Sequence, residues 1–116
     1  MNTFNIHGGH DAQNHGASGA CAKIDGVGWF YESIEDRVVK NDVIDLLKLE
    51  HKTVYDCTVD DAGTQNLNLS QIVAKCNSHK VDRDVSIHFN SGRDDEDGDN
   101  KTGGVEVWLF EIQIKI

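Results

Sequence analysis

Between residues 3 and 90 the spacing of apolar residues switches back and forth between the period of a strand and that of a helix, and this order limits the folds open to the chain. "TFNIHGGHD" begins with a short apolar segment and runs into glycines, the form of a first strand ending in a loop that approaches something closely. "EDRVVKNDVIDLLKLE" at 35–50 sets Val39, Val43, Ile44 and Leu47 at spacings of three and four with charges between them, which predicts an amphipathic helix. "TVYDCTV" at 53–59 is β-branched and aromatic and reads as a strand. "NLSQIVAKCN" puts Leu69, Ile72, Val73 and Cys76 on one face of a second helix, with Asn66 or Asn68 as its cap. "DVSIHFN" then alternates Val85, Ile87 and Phe89 with Ser86, His88 and Asn90, a strand whose first set forms a core strip. Strand, helix, strand, helix, strand is the order of an α/β sheet with crossovers. The expectation is one α/β domain over residues 1–116, with a mixed, mostly parallel sheet of about four strands and two main helices.

The remaining segments are read differently. Residues 11–31 are rich in Gly, Ala, Asn and Asp and predict a long loop, a kind of loop that is usually functional or mobile. "SGRDDEDGDNKTGG" at 91–104 is a polar, acidic loop. With Gly98 as the sixth position of a calcium loop, the first would be Arg93 and the twelfth Gly104, so the EF-hand pattern fails and a solvated loop is the reading. "VEVWLFEIQIKI" is one extended stretch in which Val105, Val107 and Leu109 interleave with Trp108 and Phe110, so its first half is expected to be buried on both faces. From Glu111 onward only Ile112, Ile114 and Ile116 stay apolar, leaving one wet face and a strand end suited to pairing with a second copy as a homodimer.

Composition narrows the function. The 20 acidic residues against 11 basic give a net charge of −9, which disfavours nonspecific attraction to nucleic-acid phosphates or anionic membranes. No basic-then-apolar leader and no long apolar span is visible, so the expectation is synthesis in the cytoplasm, with any action elsewhere following release. Cys21, Cys57 and Cys76 are odd in number and lack CxxC spacing, and read as reduced thiols filling the core.

Six histidines, His7, His10, His15, His51, His79 and His88, invite a search for a metal site. His10 and His88 stand out by location, each at or just past the carboxyl end of an expected strand, where open α/β sheets place their sites. Glu32, just before the first helix, can supply a third ligand. Two imidazole nitrogens and a carboxylate oxygen, with a fourth position for water, form a known catalytic zinc set. A half-buried structural histidine is the plain alternative for His88.

Four segments, "GGHDAQNHGASG", "YESIEDRVVKNDVIDLLKLEHKTVYDCTVD", "QIVAKCNSHKVDRDVSIHFNSG" and "GGVEVWLF", together resemble the zinc-dependent N-acetylmuramoyl-L-alanine amidases, most of all the catalytic domains of endolysins from phages of Gram-positive bacteria. That family has Gly-His after its first strand, a glutamate opening its first long helix, and a Ser-Ile-His-x-Asn strand followed by Gly-x-Glu-Val. The resemblance implies Zn2+ held by His10, Glu32 and His88, with Glu35 the rival for the middle ligand. It also implies a peptidoglycan substrate running past Gly19 and Asn90, and a His88 ring turned away from the core strip toward the metal. In the family a further helix and strand deliver a catalytic glutamate. No segment of this chain matches it, Glu106 and Glu111 lie on the wrong strand to replace it, and so no catalytic acid or base is assigned. Asp11 stands after His10 where relatives often carry Asn.

A second reading keeps the fold and drops the reaction. The charge, the "DDEDGDN" loop and the "EIQIKI" tail suit an acidic binding or inhibitor protein that docks on a basic host protein.

Overall fold

Strand β1 (Thr3–Gly8) occupies the centre of a three-stranded sheet, with β4 (Thr53–Asp56) on one side and β5 (Arg83–Ile87) on the other, both parallel to it. The computed structural model describes residues 1–90 and 105–110. A separate antiparallel hairpin, β2 (Cys21–Ile24) and β3 (Gly28–Tyr31), leads into helix α1 (Glu32–Leu49), and helix α2 (Gln65–Asn77) joins β4 to β5. The α/β class and the strand–helix–strand–helix–strand order stand as read from the sequence.

A parallel strand in mid-sheet must satisfy both faces, and β1 does so with different chemistry on each. Ile6 is buried on the α1 side, and a side chain at Gly8 would run into Asp36 and Arg37 of that helix. Asn5 and His7 point the other way. Asn5 Nδ2 donates to the Cys76 carbonyl of α2 (3.0 Å) and to Asp84 Oδ1 of β5 (2.7 Å), so α2 covers the opposite face of the sheet. The molecule is thus a helix–sheet–helix sandwich. Its apolar centre is small: Ile6, Ile44, Cys57, Val59 and Ile72 are the buried hydrophobic residues among those described. Each large one contributes about 1.5–3 kcal/mol on burial. Polar clamps surround them, including Lys40 Nζ of α1 on Asp56 Oδ2 at the end of β4, 2.9 Å apart.

Helix boundaries follow from their ends. α1 starts at Glu32, earlier than the apolar period indicates, because the β3 backbone runs straight into it through an extended Tyr31. Glu32 and Glu35 in the first turn and Lys48 in the last complement the helix dipole. α2 starts at Gln65 and is capped by Thr64, whose Oγ1 accepts from Leu67 N (3.2 Å). The expected caps are corrected here: Asn66 lies inside the helix, and Asn68 is a buried helical residue.

Four further expectations are corrected. Residues 11–31 are not one loop, since 21–31 form the β2–β3 hairpin, whose type the Gly-rich composition masks. Cys21 is exposed on β2 and no core filler, whereas Cys57 is buried and burial pushes the Cys76 thiol up to about 12, which keeps it protonated. In the strip Val85, Ile87 and Phe89, Val85 is exposed and the other two are only half covered, because β5 pairs with β1 alone among the described strands. Residues 105–110 form no strand and are all exposed, contrary to the doubly buried strand expected there. Alternation reports propensity only; a strand needs a ladder partner, and this segment has none among the described residues. The 91–104 loop and residues 111–116, with the dimerising edge expected at the chain end, lie outside the described residues. No helix among the described residues is long and apolar enough to cross a membrane.

His7 makes stability depend on pH. Its Nδ1 is buried without a partner, and burial, assisted by the nearby His88, lowers its pKa from 6.5 to about 4. A depressed histidine means that the folded state holds the neutral ring, so this stability is fully present above pH 6.5 and is lost as pH falls toward 4. Urea denaturation should lose up to about 3 kcal/mol across that window, and His7→Gln should flatten this part of the profile; an unchanged slope in the variant would rule out His7 as its source.

Candidate metal centre

The sheet order β4-β1-β5 means that the chain leaves β1 to one side and later returns to the other, and the crevice at such a reversal opens beyond the carboxyl ends of the strands. His10 follows the end of β1 and His88 follows the end of β5, its neighbour in the sheet. The backbone continues the pairing there, with Gly9 N donating to Ile87 O (3.0 Å), so the two histidines are carried to one rim. α1 then brings its first residue, Glu32, to the same place.

His10, Glu32 and His88 can hold a metal ion. One ligand atom from each lies within 4.8 Å of the others. Glu32 Oε1 is 3.3 Å from His10 Nε2 and 3.1 Å from His88 Nδ1. Ligands about 2.0–2.2 Å from a tetrahedral ion stand roughly 3.3–3.6 Å from one another. The two Glu32 contacts are near that spacing, and the histidine nitrogens lie within 4.8 Å of each other, so side-chain rotation would bring all three donors onto one ion. The rings of His10 and His88 meet edge to face at 4.9 Å.

Each ligand has its own support. His10 Nδ1 donates to Gln65 Oε1 at the start of α2 (3.0 Å), which fixes the tautomer whose Nε2 lone pair is free for a metal. Glu32 is buried. Its Oε2 accepts from Ala20 N (2.8 Å) and its Oε1 from Phe89 N (3.0 Å). Burial pushes the Glu32 pKa up, but these two N–H groups, with His10 and His88, outweigh it and hold the group ionised below its ordinary range. His88 Nδ1 lies 3.1 Å from Glu32 Oε1, so a metal at this nitrogen would take the place of that hydrogen bond.

The backbone is shaped to the same end. His10 has φ 62°, the left-handed region, which costs a non-glycine residue about 1–3 kcal/mol. Arg37 of α1 holds it there, donating through Nη2 to His10 O (3.0 Å) and through Nη1 to Gly9 O (3.2 Å). Gly9 is required because any side chain would overlap the His88 imidazole. Gly19 combines φ 80° with an approach so close that a Cβ would stand 2.6 Å from His10 Cδ2 and 2.7 Å from Glu32 Oε2. The result is an open cleft of about 510 Å³ lined by the three ligands together with Gly19, Ala20, Phe89 and Asn90.

All five site residues named from the sequence thus line one cleft, and Glu32 takes the place for which Glu35 was the rival. Glu35 lies outside the group. Sequence reasoning missed the supporting residues. Asp11 is fully buried and accepts from Ala62 N (2.9 Å), Gly63 N (2.8 Å) and Asn68 Nδ2 (2.9 Å). Those bonds overcome the upward push of burial and keep its carboxylate pKa low. Asp36, one helical turn beyond Glu32, is also fully buried, with burial raising it to about 6 against the pull of Arg37. The "HD" and "DR" pairs in "GGHDA" and "IEDRV" were the available signals, since adjacent charges on a strand end and on an inward helix face need partners.

No known protein-family profile matches the chain, and no solved structure does. The chain is similar to an "Uncharacterized 38.4 kDa protein" of Clostridium perfringens, 39% identical over 106 residues, which is 91% of this chain and 27% of that protein. The chain therefore spans about a quarter of the length of the relative it matches.

Calorimetric titration with Zn2+ and Co2+ should give one site per chain, abolished in His10→Ala and His88→Ala and strongly weakened in Glu32→Gln. Gln65→Leu should lower affinity about 10- to 100-fold while leaving the fold intact. Asp11→Ala should instead destabilise the protein by about 2–4 kcal/mol in urea, because it strands buried donors. Equal metal affinity in wild type and His88→Ala would refute the centre.

Proposed function

We propose that the chain is a zinc-dependent amidase domain that hydrolyses the bond between N-acetylmuramic acid and L-alanine in peptidoglycan, with His10, Glu32 and His88 as the zinc ligands. One observation carries this reading: two imidazoles and one buried carboxylate converge at the carboxyl ends of adjacent parallel strands, in an open cleft of about 510 Å³. Two nitrogens and one oxygen suit zinc, and the set leaves room in its coordination for a reactant. The motif resemblance supplies the substrate class.

Zinc, when bound, supplies a Lewis acid for the scissile carbonyl and lowers the pKa of water toward neutrality. The chain's own residues do the rest. Gln65 keeps His10 in the ligating tautomer, and the Ala20 and Phe89 N–H groups hold the Glu32 carboxylate ionised and aimed. Gly19 and Ala20 form a wall without side-chain bulk, along which an extended peptide can lie. Asn90 also lines the cleft; its Nδ2 donates to Glu106 Oε2 (3.0 Å), which leaves its carbonyl oxygen to orient the substrate.

The test is chemical as well as optical. Purified Gram-positive cell walls incubated with zinc-loaded protein should lose turbidity and gain new α-amino groups without new reducing sugars. A chelator should stop both changes, and His88→Ala should lower the rate at least about 100-fold, the scale on which loss of a catalytic group is felt. Metal-loaded protein that releases no amino groups would eliminate hydrolysis. An acidic protein that captures a basic partner in a salt-sensitive manner would then be the remaining role.

A further inference from the structure

The β2–β3 hairpin has two unlike faces. Register pairs Cys21 with Tyr31 and Lys23 with Trp29, so these four side chains share one face, while Ala22 and Phe30 share the other. Phe30 turns inward and packs edge to face on Phe89, the residue after His88, at 5.2 Å. The other face is turned to solvent. There the Trp29 and Tyr31 rings lie nearly parallel, 17° apart and 6.2 Å between centres, with Trp29 60% exposed and Lys23 exposed beside it.

The hairpin is also fastened to the metal centre at both ends. Tyr31 immediately precedes Glu32. Glu32 N donates to Ala20 O (2.9 Å), and Ala20 N donates to Glu32 Oε2 (2.8 Å), just before β2 begins. The exposed Trp29 ring and the half-buried Tyr31 ring are therefore held at a fixed offset from the cleft.

We propose that Trp29 and Tyr31 form a saccharide-stacking platform that binds the glycan strand of the substrate while its peptide branch enters the cleft; this rests on the peptidoglycan reading above. Pyranose rings present flat C–H faces that pack on aromatic faces, and the outward side of the stacked Trp29–Tyr31 pair offers such a surface to a sugar of the chain. Lys23 adds a cation on this face of a chain whose net charge is −9, matching the carboxylates that peptidoglycan carries. The hydroxyls and acetamido groups of the sugars stay in water at the exposed ring edges.

Trp29 and Trp108 are the chain's two tryptophans, so a Trp108→Phe background makes Trp29 the only reporter. Titration of that protein with a soluble N-acetylglucosamine hexamer should give saturable quenching of Trp29 in the millimolar range or below. The signal should appear with chelator present as well as with zinc. Tyr31→Ala should weaken it about fivefold or more, and Trp29→Ala should remove the binding heat in calorimetry. In Trp29→Ala, zinc titration should be unchanged while the rate on cell walls falls. Saccharide binding without zinc binding or wall cleavage would sink the hydrolase reading and leave the platform standing. Zinc binding with wall cleavage, but no Trp29 response to the hexamer and a full wall rate in Trp29→Ala, would overturn the platform. Sedimentation showing a dimer that Trp29→Ala dissociates would overturn it too, by assigning the rings to self-association.

Discussion

The Arg37 guanidinium is the interaction on which the site side of the molecule depends. Its N–H groups reach the carbonyls of Gly9, His10, Ser33 and Val59 and the carboxylates of Asp36 and Asp60. Those acceptors belong to the turn after β1, the first turn of α1 and the segment after β4, three pieces far apart in sequence. A planar, permanently charged fork is the side chain that can bind so many fixed acceptors at once; a lysine in its place would offer one point charge and lose the directionality. With the helix tied to that turn, the unfavourable backbone at His10 is held in place, and Glu32 at the head of the helix is delivered to the same rim.

Asp11 does for the other side of the crevice what Arg37 does for the helix side. It gathers the backbone before α2 and the Asn68 amide within it, so the start of α2, where Gln65 meets His10, is placed relative to β1 by a buried carboxylate. The apolar core is too small to dictate such positions. Charge-assisted hydrogen bonds are shorter, stronger and more directional than neutral ones, and here they set geometry that hydrophobic contact leaves loose.

The sequence made the frame legible because period is a strong signal. Val39, Val43, Ile44 and Leu47 marked α1, and the alternation around Ile87 marked β5, with boundaries displaced by a few residues where the deciding groups were caps. His10, Glu32 and His88 were legible from their places at strand ends and a helix start, and from motif likeness. The hairpin was hidden because Gly26 and Gly28 interrupt a short run that composition alone assigns to a loop. Asp11 and Arg37 were hidden for a deeper reason: an ionised residue is read as surface by default, and only three-dimensional closure reveals which charges are enclosed. The stretch 105–110 erred in the opposite sense, since a strand-like pattern says nothing of whether a neighbouring strand stands ready to receive it.

Glu32 has two oxygens with two duties: Oε1 faces the histidines while Oε2 holds the backbone from which the hairpin springs. Both oxygens belong to one rigid group, so the histidine contacts and the Ala20 contact share a single side-chain placement. One carboxyl group thus ties the histidine pair and the base of the hairpin into a single unit.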